Sequence, residues 1–387
     1  MQPSKIPILD LKPQYQALKS EIQAAIDRVL ESGQFILGPD VTALEQELAA
    51  FLGVKFAIAV NSGTDALIIS LRALGIGPGD EVITTPFSFF ATAESITLVG
   101  AKPVFVDVCP ATFNINPDLI SAAVTSRTKA IMPVHLFGQP ARMGEILEIA
   151  QAHDLKVIED TAQAIGARYF GTCLDCQCLP QTKQQLQGKF VGSLGDLGAF
   201  SFFPTKNLGA YGDGGLITTN DPALAELAKM LRVHGSRQRY IHEMIGYNSR
   251  MDSIQAAILR VKLPHLQAWN EQRRQIAQTY NQKLADIPGI VTPKVTPGHV
   301  FHQYTVRILD NKRDQVIQHL AGLGISTMIY YPIPQDRLAV YGNQYPPLPV
   351  SDQLATEVLS LPLWPELAPE QIAQITQALG EAIQINS

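Results

Sequence analysis

The chain has 387 residues, of which 46% are hydrophobic and only 17% charged, with 30 Lys and Arg against 35 Asp and Glu. The net charge of −5 excludes the basic footprint of a nucleic-acid-binding protein, and a chain this long buries a core without disulfides or a structural metal. No apolar run approaches the roughly eighteen residues of a membrane helix, and residues 1–15 hold no signal-peptide apolar block, so a cytoplasmic protein is expected.

Residues 16–52 read as two helices. The second opens after Gly38-Pro39-Asp40 and carries Val41, Leu44, Leu48 and Phe51 on one face. Short apolar runs then read as buried strands: Phe56–Val60, Glu81–Thr84, Pro103–Val106, Ala130–Val134 and Lys156–Ile158. Helical stretches such as Ala66–Leu74 and Met143–His153 separate several of them. Strand–helix alternation at this spacing predicts an α/β fold with a largely parallel sheet covered by helices on both faces.

From Ser253 to about Leu284 the spacing predicts one long helix. Pro288-Gly289, Pro293, Pro297 and Gly298 then open a smaller α+β unit with a strand at Tyr304–Leu309 and helices at Arg313–Leu323 and Ala368–Ile383. The Pro-rich stretch 332–349 is expected to be a long loop at a partner contact or an active-site mouth, outside any packed core. Cys173–Gln187 interrupts tight patterning and reads as a surface insertion. Its C-x2-C-x-C run (Cys173, Cys176, Cys178) has thiolate-ligand spacing, but no second Cys or His pair follows it, so incidental thiols and no metal are expected.

Four features converge on one cofactor, of which Gly246-Tyr247-Asn248-Ser249-Arg250-Met251-Asp252 alone reads only as a helix start capped by Asp252, and the other three carry chemistry. Asn61-Ser62-Gly63-Thr64-Asp65 follows one strand and opens a helix, a small-residue turn whose N–H groups suit a phosphate; simple capping by Thr64 or Asp65 is the other reading. Glu159-Asp160-Thr161-Ala162-Gln163 puts carboxylates at the C-terminal end of a buried strand, where ligands of open α/β sheets gather. A carboxylate there favours a protonated pyridine nitrogen, whereas Asp160 or Thr161 capping a following helix is the structural alternative. Third, Lys206 lies between an aromatic strand and a run of glycines, five residues after Ser201. Burial lowers a lysine pKa and frees a neutral amine to attack a carbonyl, and Ser201 offers a second phosphate hydroxyl.

With these motifs in order, the chain resembles the pyridoxal-phosphate (PLP) sugar aminotransferases of the DegT/DnrJ/StrS type. The resemblance runs from Ile8-Leu9-Asp10-Leu11 through Gly33–Gly38, Ser62–Leu67, Pro86–Thr92, Glu159–Gln163 and Ser201–Lys206 to Gly246–Arg250 and Leu359–Leu363. It implies a PLP-transferase type I fold: a large PLP-binding domain over 1–265 with a mostly parallel seven-stranded sheet, and a small α+β domain over 266–387. It further implies that Lys206 is the Schiff-base lysine and proton shuttle and that Asp160 pairs with the pyridine nitrogen. Gln163 would lie near the ring's phenolic oxygen, Gly63, Thr64 and Ser201 would hold the phosphate, and Phe89 would stack on the ring. The asparagine matching Asn248 reaches the phosphate from the other subunit in this family, which implies a homodimer with shared sites. The segment Tyr331-Pro332-Ile333-Pro334 departs from the family, since Gln335 and Asp336 follow where many members have Leu-His.

The activity so implied is amino transfer to a nucleotide-linked keto-sugar, with glutamate as the usual donor. A PLP sugar dehydratase is disfavoured by Lys206, which such relatives replace with histidine. A non-catalytic regulatory or scaffold protein is disfavoured by the intact lysine, carboxylate and phosphate residues. Arg232, His234, Arg237, Arg239 and His242 form a basic cluster that reads either as a loop meeting a diphosphate or as a solvated or interface face.

Overall fold

A computed structural model describes residues 5–171, 177–342 and 344–384. Helices α1 (Lys12–Ser32) and α2 (Pro39–Leu52) precede strand β1 (Phe56–Val60) and helix α3 (Gly63–Ala73). Then follow β2 (Glu81–Thr84), α4 (Ala91–Leu98), β3 (Lys102–Phe105), the short α5 (Ile120–Ala123) and β4 (Thr128–Met132). Helix α6 (Met143–Ala152), β5 (Lys156–Asp160), α7 (Pro180–Leu186), β6 (Leu197–Ser201), β7 (Gly215–Thr219) and α8 (Pro222–Leu231) complete the alternating region.

Strands β1–β7 form one sheet in the order β1-β7-β6-β5-β4-β2-β3. Only β7 runs antiparallel to its neighbours; the pairs from β6 to β3 are parallel. The expected mostly parallel seven-stranded sheet is therefore present. Strand residues alternate between two cores, as the pleat requires. Ile58 and Val60 face α3 and α8 in one apolar cluster, while Ala57 and Ala59 face α2 and the helix at Ser253 in another. Since both faces are covered, β1 reads as a continuous apolar run and β2, β4 and β5 have apolar centres at Val82–Ile83, Ala130–Met132 and Val157–Ile158.

An exposed hairpin, β8 (Ser236–Gln238) with β9 (Ile241–His242), leads to α9 (Ser253–Lys262) and α10 (Leu266–Leu284). The single long helix expected over 253–284 is in fact broken by a 3-10 turn at Leu263–His265. Pro264 supplies no N–H and its ring obstructs the preceding turn, so the α-helical ladder cannot pass through it.

The small unit has a three-stranded antiparallel sheet of β10 (Ile290–Val291), β11 (Tyr304–Ile308) and β12 (Val358–Leu361), with helices α11 (Arg313–Gly322), α12 (Pro349–Glu357) and α13 (Pro369–Gln384). Its core takes Ile276, Tyr280 and Leu284 from α10, and Ile6 from the N-terminus. The N-terminal segment runs along this unit through Ser326 N–H to Ile6 O (2.9 Å) and Leu363 N–H to Ile8 O (3.1 Å).

The Pro-rich stretch is not a loose loop. Gln335 and Asp336 are each 1% exposed, and Tyr341 and Tyr345 pack on Phe105 at the sheet edge with ring centroids 5.8 and 4.8 Å away. Tyr345 OH donates to Pro103 O at 2.9 Å, so the stretch covers edge strand β3. Cys173 and Cys176 lie outside the described residues. From Gln177 onward the insertion docks on α6 through Gln177 N–H to Glu145 (2.8 Å) and Leu179 N–H to Glu148 (2.8 Å), and it buries Leu186. Among the described residues no helix is long and apolar enough to cross a membrane, and no cluster of three or more His, Cys, Asp or Glu has metal-holding geometry.

Candidate active site

Strands β5 and β6 end side by side, and α3 begins next to them after β1. Their ends enclose a cavity of about 460 Å³ lined by Gly63, Thr64, Phe89, Asp160, Gln163, Ser201 and Lys206. Seven of the eight residues singled out in the sequence thus come together. Asn248 does not: it is exposed and lies outside this lining. Thr92, His302, Gln303, Tyr330 and Tyr331 join the wall without having been singled out for a role.

Asp160 is 4% exposed at the end of β5. Its Oδ2 accepts from Thr92 Oγ1 at 2.8 Å and its Oδ1 from the Ala162 N–H at 3.2 Å. Burial raises its pKa, opposed by those two hydrogen bonds and by the charge of Lys206. A turn follows β5, so the helix-capping reading of Asp160 and Thr161 does not hold. Glu159, fully buried, accepts from the N–H groups of Gly192, Leu194 and Gly195 at 2.7–2.8 Å and from His135 Nε2 at 3.0 Å. His135 Nδ1 accepts the Ala141 N–H, so the imidazole proton sits on Nε2. This unexposed pair fastens β5 to the turn before β6 and so fixes where Asp160 ends.

Lys206 follows β6 in a tight turn closed by its own N–H to Phe203 O (2.9 Å) and by Phe202 N–H to Gly214 O (2.8 Å). Desolvation lowers its pKa to about 8, with Asp160 pulling the other way. A substantial share of the amine is therefore neutral near physiological pH, as a nucleophile or base requires.

The start of α3 forms a cradle. Ser62 Oγ accepts the Asp65 N–H (3.0 Å) and Ser62 O accepts the Ala66 N–H. Ser62, and neither Thr64 nor Asp65, is therefore the cap. The N–H groups of Gly63 and Thr64 open the helix with no intrahelical partner, beside the Ser201 hydroxyl. A Cβ on Gly63 would stand 2.7 Å from Ser201 Cβ, so only glycine lets the helix end approach that closely. The result is a concave donor set at a positive helix end, which fits a phosphate.

Gln163 is held by the Phe137 N–H on its Oε1 (2.6 Å) and donates through Nε2 to Tyr331 OH (3.1 Å). Phe89, 60% exposed, stands over the cavity with its ring 6.5 Å from that of Tyr331. Gln335 and Asp336 are buried and outside the cavity lining. Gln335 instead bridges the Ala93 N–H (3.2 Å) and Thr85 O (3.4 Å), joining α4 to the end of β2.

The basic cluster divides. Arg232 is buried and bound to Glu45 and to Ala59 O, so it belongs to the scaffold. Arg237 stands 3.7 Å from Glu243, and Arg239 lies 5.0 Å over the Tyr240 ring on the exposed hairpin.

Residues 16–380 match the DegT/DnrJ/EryC1/StrS aminotransferase family. The chain is 51% identical over 383 residues to a pleiotropic regulatory protein of Geobacillus stearothermophilus, covering 97% of this chain and 98% of that one. It is 47% identical over 385 residues to a UDP-N-acetyl-3-dehydro-alpha-D-glucosamine 3-aminotransferase of Acidithiobacillus ferrooxidans, covering 99% of each. Among solved structures, NtdA of Bacillus subtilis with bound cofactor PMP superposes with a TM-score of 0.88 at 31% identity, covering 99% of this chain and 86% of that one. A strand-end carboxylate, a half-buried lysine of lowered pKa and a phosphate-shaped helix start thus accompany a match along nearly the whole length, and the chain belongs to the DegT/DnrJ/EryC1/StrS aminotransferase family and is an aminotransferase.

Proposed function

We propose that the protein carries PLP on Lys206 and transfers an amino group, from glutamate as donor, to a keto-sugar attached to a nucleotide. The observation that carries this reading is the joint placement of Asp160, Lys206 and the Gly63–Thr64–Ser201 cradle around one cavity. The residues fit the cofactor: unpartnered helix N–H groups for its phosphate, a buried carboxylate for its ring nitrogen, and a lysine of lowered pKa for its aldehyde. When bound, PLP supplies an electron sink for the carbanion formed at the donor's α-carbon.

The chain's own residues do the rest. Asp160, charged against the ring nitrogen, keeps that nitrogen protonated. Lys206 in its neutral form takes the proton from the donor's α-carbon and, as an ammonium, returns it on the cofactor side. Phe89 covers one face of the cavity. Gln163 and Tyr331, hydrogen-bonded to each other, would border the ring's phenolic oxygen.

A homodimer with shared sites is part of the same reading. Asn248 lies outside its own cavity, and nearby Phe35, Ile36 and Leu37, with Tyr240, Ile241 and Ile245 on or beside the hairpin, are exposed apolar residues. Phe35 O accepts the Ser253 N–H (2.8 Å), and exposed apolar side chains of this kind favour burial against a second copy. Arg239 on the hairpin then meets the nucleotide diphosphate of the neighbouring site. One relative is named a regulatory protein, but the intact lysine and carboxylate favour catalysis here. An absorbance titration tests this: adding PLP, then glutamate, then nucleotide keto-sugars forms, bleaches and restores the band of the lysine-bound cofactor. No band at all favours the regulatory reading.

A further inference from the structure

A chain of buried amides leads from the scaffold to the cavity wall, and each link fixes the orientation of the next. Asn270 Nδ2 donates to Ile165 O at 3.0 Å, so its Oδ1 is the atom that accepts from Asn207 Nδ2 at 2.8 Å. Asn207 Nδ2 gives its second hydrogen to Val300 O at 3.1 Å. Both amide hydrogens are then committed, and Asn207 Oδ1 can only accept. His302 Nδ1 lies 3.1 Å from it and must therefore carry the proton.

The consequence falls on the other ring nitrogen. With the proton on Nδ1, Nε2 presents a bare lone pair, and His302 lines the same cavity as Lys206. Burial, the Lys206 charge and the Arg273 guanidinium, which reaches His302 O at 3.5 Å, all oppose a second proton on the ring. Asn207, which orients the imidazole, is also the residue directly after Lys206. Asn207 thus ties the orientation of the imidazole to the turn that carries Lys206.

We infer that His302 is a positioning residue whose Nε2 lone pair accepts a hydrogen bond from the Lys206 ammonium, holding the amine in place between the two halves of its proton shuttle. No bond is made or broken at His302. The proton stays on Lys206 Nζ until it is delivered, and the Nδ1 proton remains shared with Asn207. Asp160 acts on Lys206 as a charge, Asp213 lines the same cavity, and Arg273 reaches the His302 carbonyl; none of them supplies a neutral acceptor. The inference rests on reading Lys206 as the cofactor lysine.

The test follows PLP capture by cofactor-stripped, full-length protein as a function of pH, which reports the neutral fraction of Lys206. Wild type is expected to reach half its maximal rate near pH 8. His302→Asn keeps an N–H for Asn207 and lacks the acceptor. Losing a hydrogen bond to a charged group is expected to lower its midpoint by about one pH unit. His302→Gln sets an oxygen near the Nε2 position and is expected to move the midpoint back towards wild type. A purely structural role predicts the opposite order, with Asn mild and Gln severe, and that order overturns the inference. So does an unmoved midpoint in His302→Asn accompanied by a raised KM for the sugar, which would give Nε2 to a substrate hydroxyl. Nitrogen-15 shifts of His302 in the unmutated protein provide a check that needs no variant. Nδ1 is expected to be protonated, with a bare Nε2 whose shift follows the Lys206 titration near pH 8; an Nε2 signal indifferent to it contradicts the inference. Failure of wild type to capture PLP at Lys206 would instead refute the cofactor assignment.

Discussion

Thr92 Oγ1 donates to Asp160 Oδ2 across 2.8 Å, joining the first turn of α4 to the C-terminal end of β5. Ser88 Oγ stands 3.0 Å from the same threonine oxygen, and because that oxygen gives its own hydrogen to Asp160, it accepts from Ser88. Two hydroxyls thus act in series on one buried carboxylate. The arrangement favours the charged form of Asp160 against the burial that disfavours it.

Thr92→Val keeps the volume and deletes the donor. The account expects the protein to retain PLP while turnover falls about tenfold or more, the scale of one hydrogen bond to a charge. The acid limb of the rate–pH profile should also move upward, because Asp160 then charges less readily, and Thr92→Ser should restore both. Wild-type turnover with an unmoved acid limb in Thr92→Val would show that Asp160 does not depend on this contact.

Lys262 gives a pH effect separate from catalysis. It is 1% exposed, donates to Gly209 O, lies 5.0 Å over the Tyr211 ring, and has a pKa lowered by burial from 10.5 to about 8. Between those two values the unfolded chain binds more protons than the folded one, so this residue makes stability rise with pH through that window and contributes no slope below it. Lys262→Met lacks the slope. Denaturant titrations should therefore show the stability difference, wild type minus variant, shifting in favour of wild type from pH 8 to pH 10. A difference independent of pH would mean that Lys262 is solvated in the folded protein.

The proposed shared site predicts complementation. Lys206→Ala and Asn248→Ala proteins, each nearly inactive alone, should recover about a quarter of wild-type activity per subunit when mixed and re-associated, because hybrid dimers then hold one site with neither change. Activity that stays at the level of the separate variants would place Asn248 in the service of its own subunit.

Much of this was visible in the sequence, for definite reasons. Strands buried on both faces have apolar centres, so β1, β2 and β5 stand out, and the chemistry clusters where such strands end. The Ser201–Lys206 spacing and the turn at Ser62–Asp65 are local, so they too are legible. What stayed hidden depends on partners distant in sequence. Arg232 looked like part of a basic surface because its carboxylate, Glu45, is 187 residues away. Asn207 and His302 meet across 95 residues, and Asn207 and Asn270 across 63, and no periodicity announces such pairs. β12 escaped because four residues between α12 and Pro362 carry too little pattern to tell a strand from a loop, and its place is set by pairing with β11. The break at Pro264 was legible and was outweighed by the helical pattern on either side.

In the proposed mechanism everything turns on Lys206 holding the cofactor covalently. Borohydride reduction of the PLP-loaded protein followed by peptide mass analysis tests it most directly. The account predicts one reduced pyridoxyl adduct, on the peptide containing Lys206, and predicts that Lys206→Ala binds PLP without forming an adduct and without transaminating. An adduct on another lysine, or full turnover by Lys206→Ala, would contradict it.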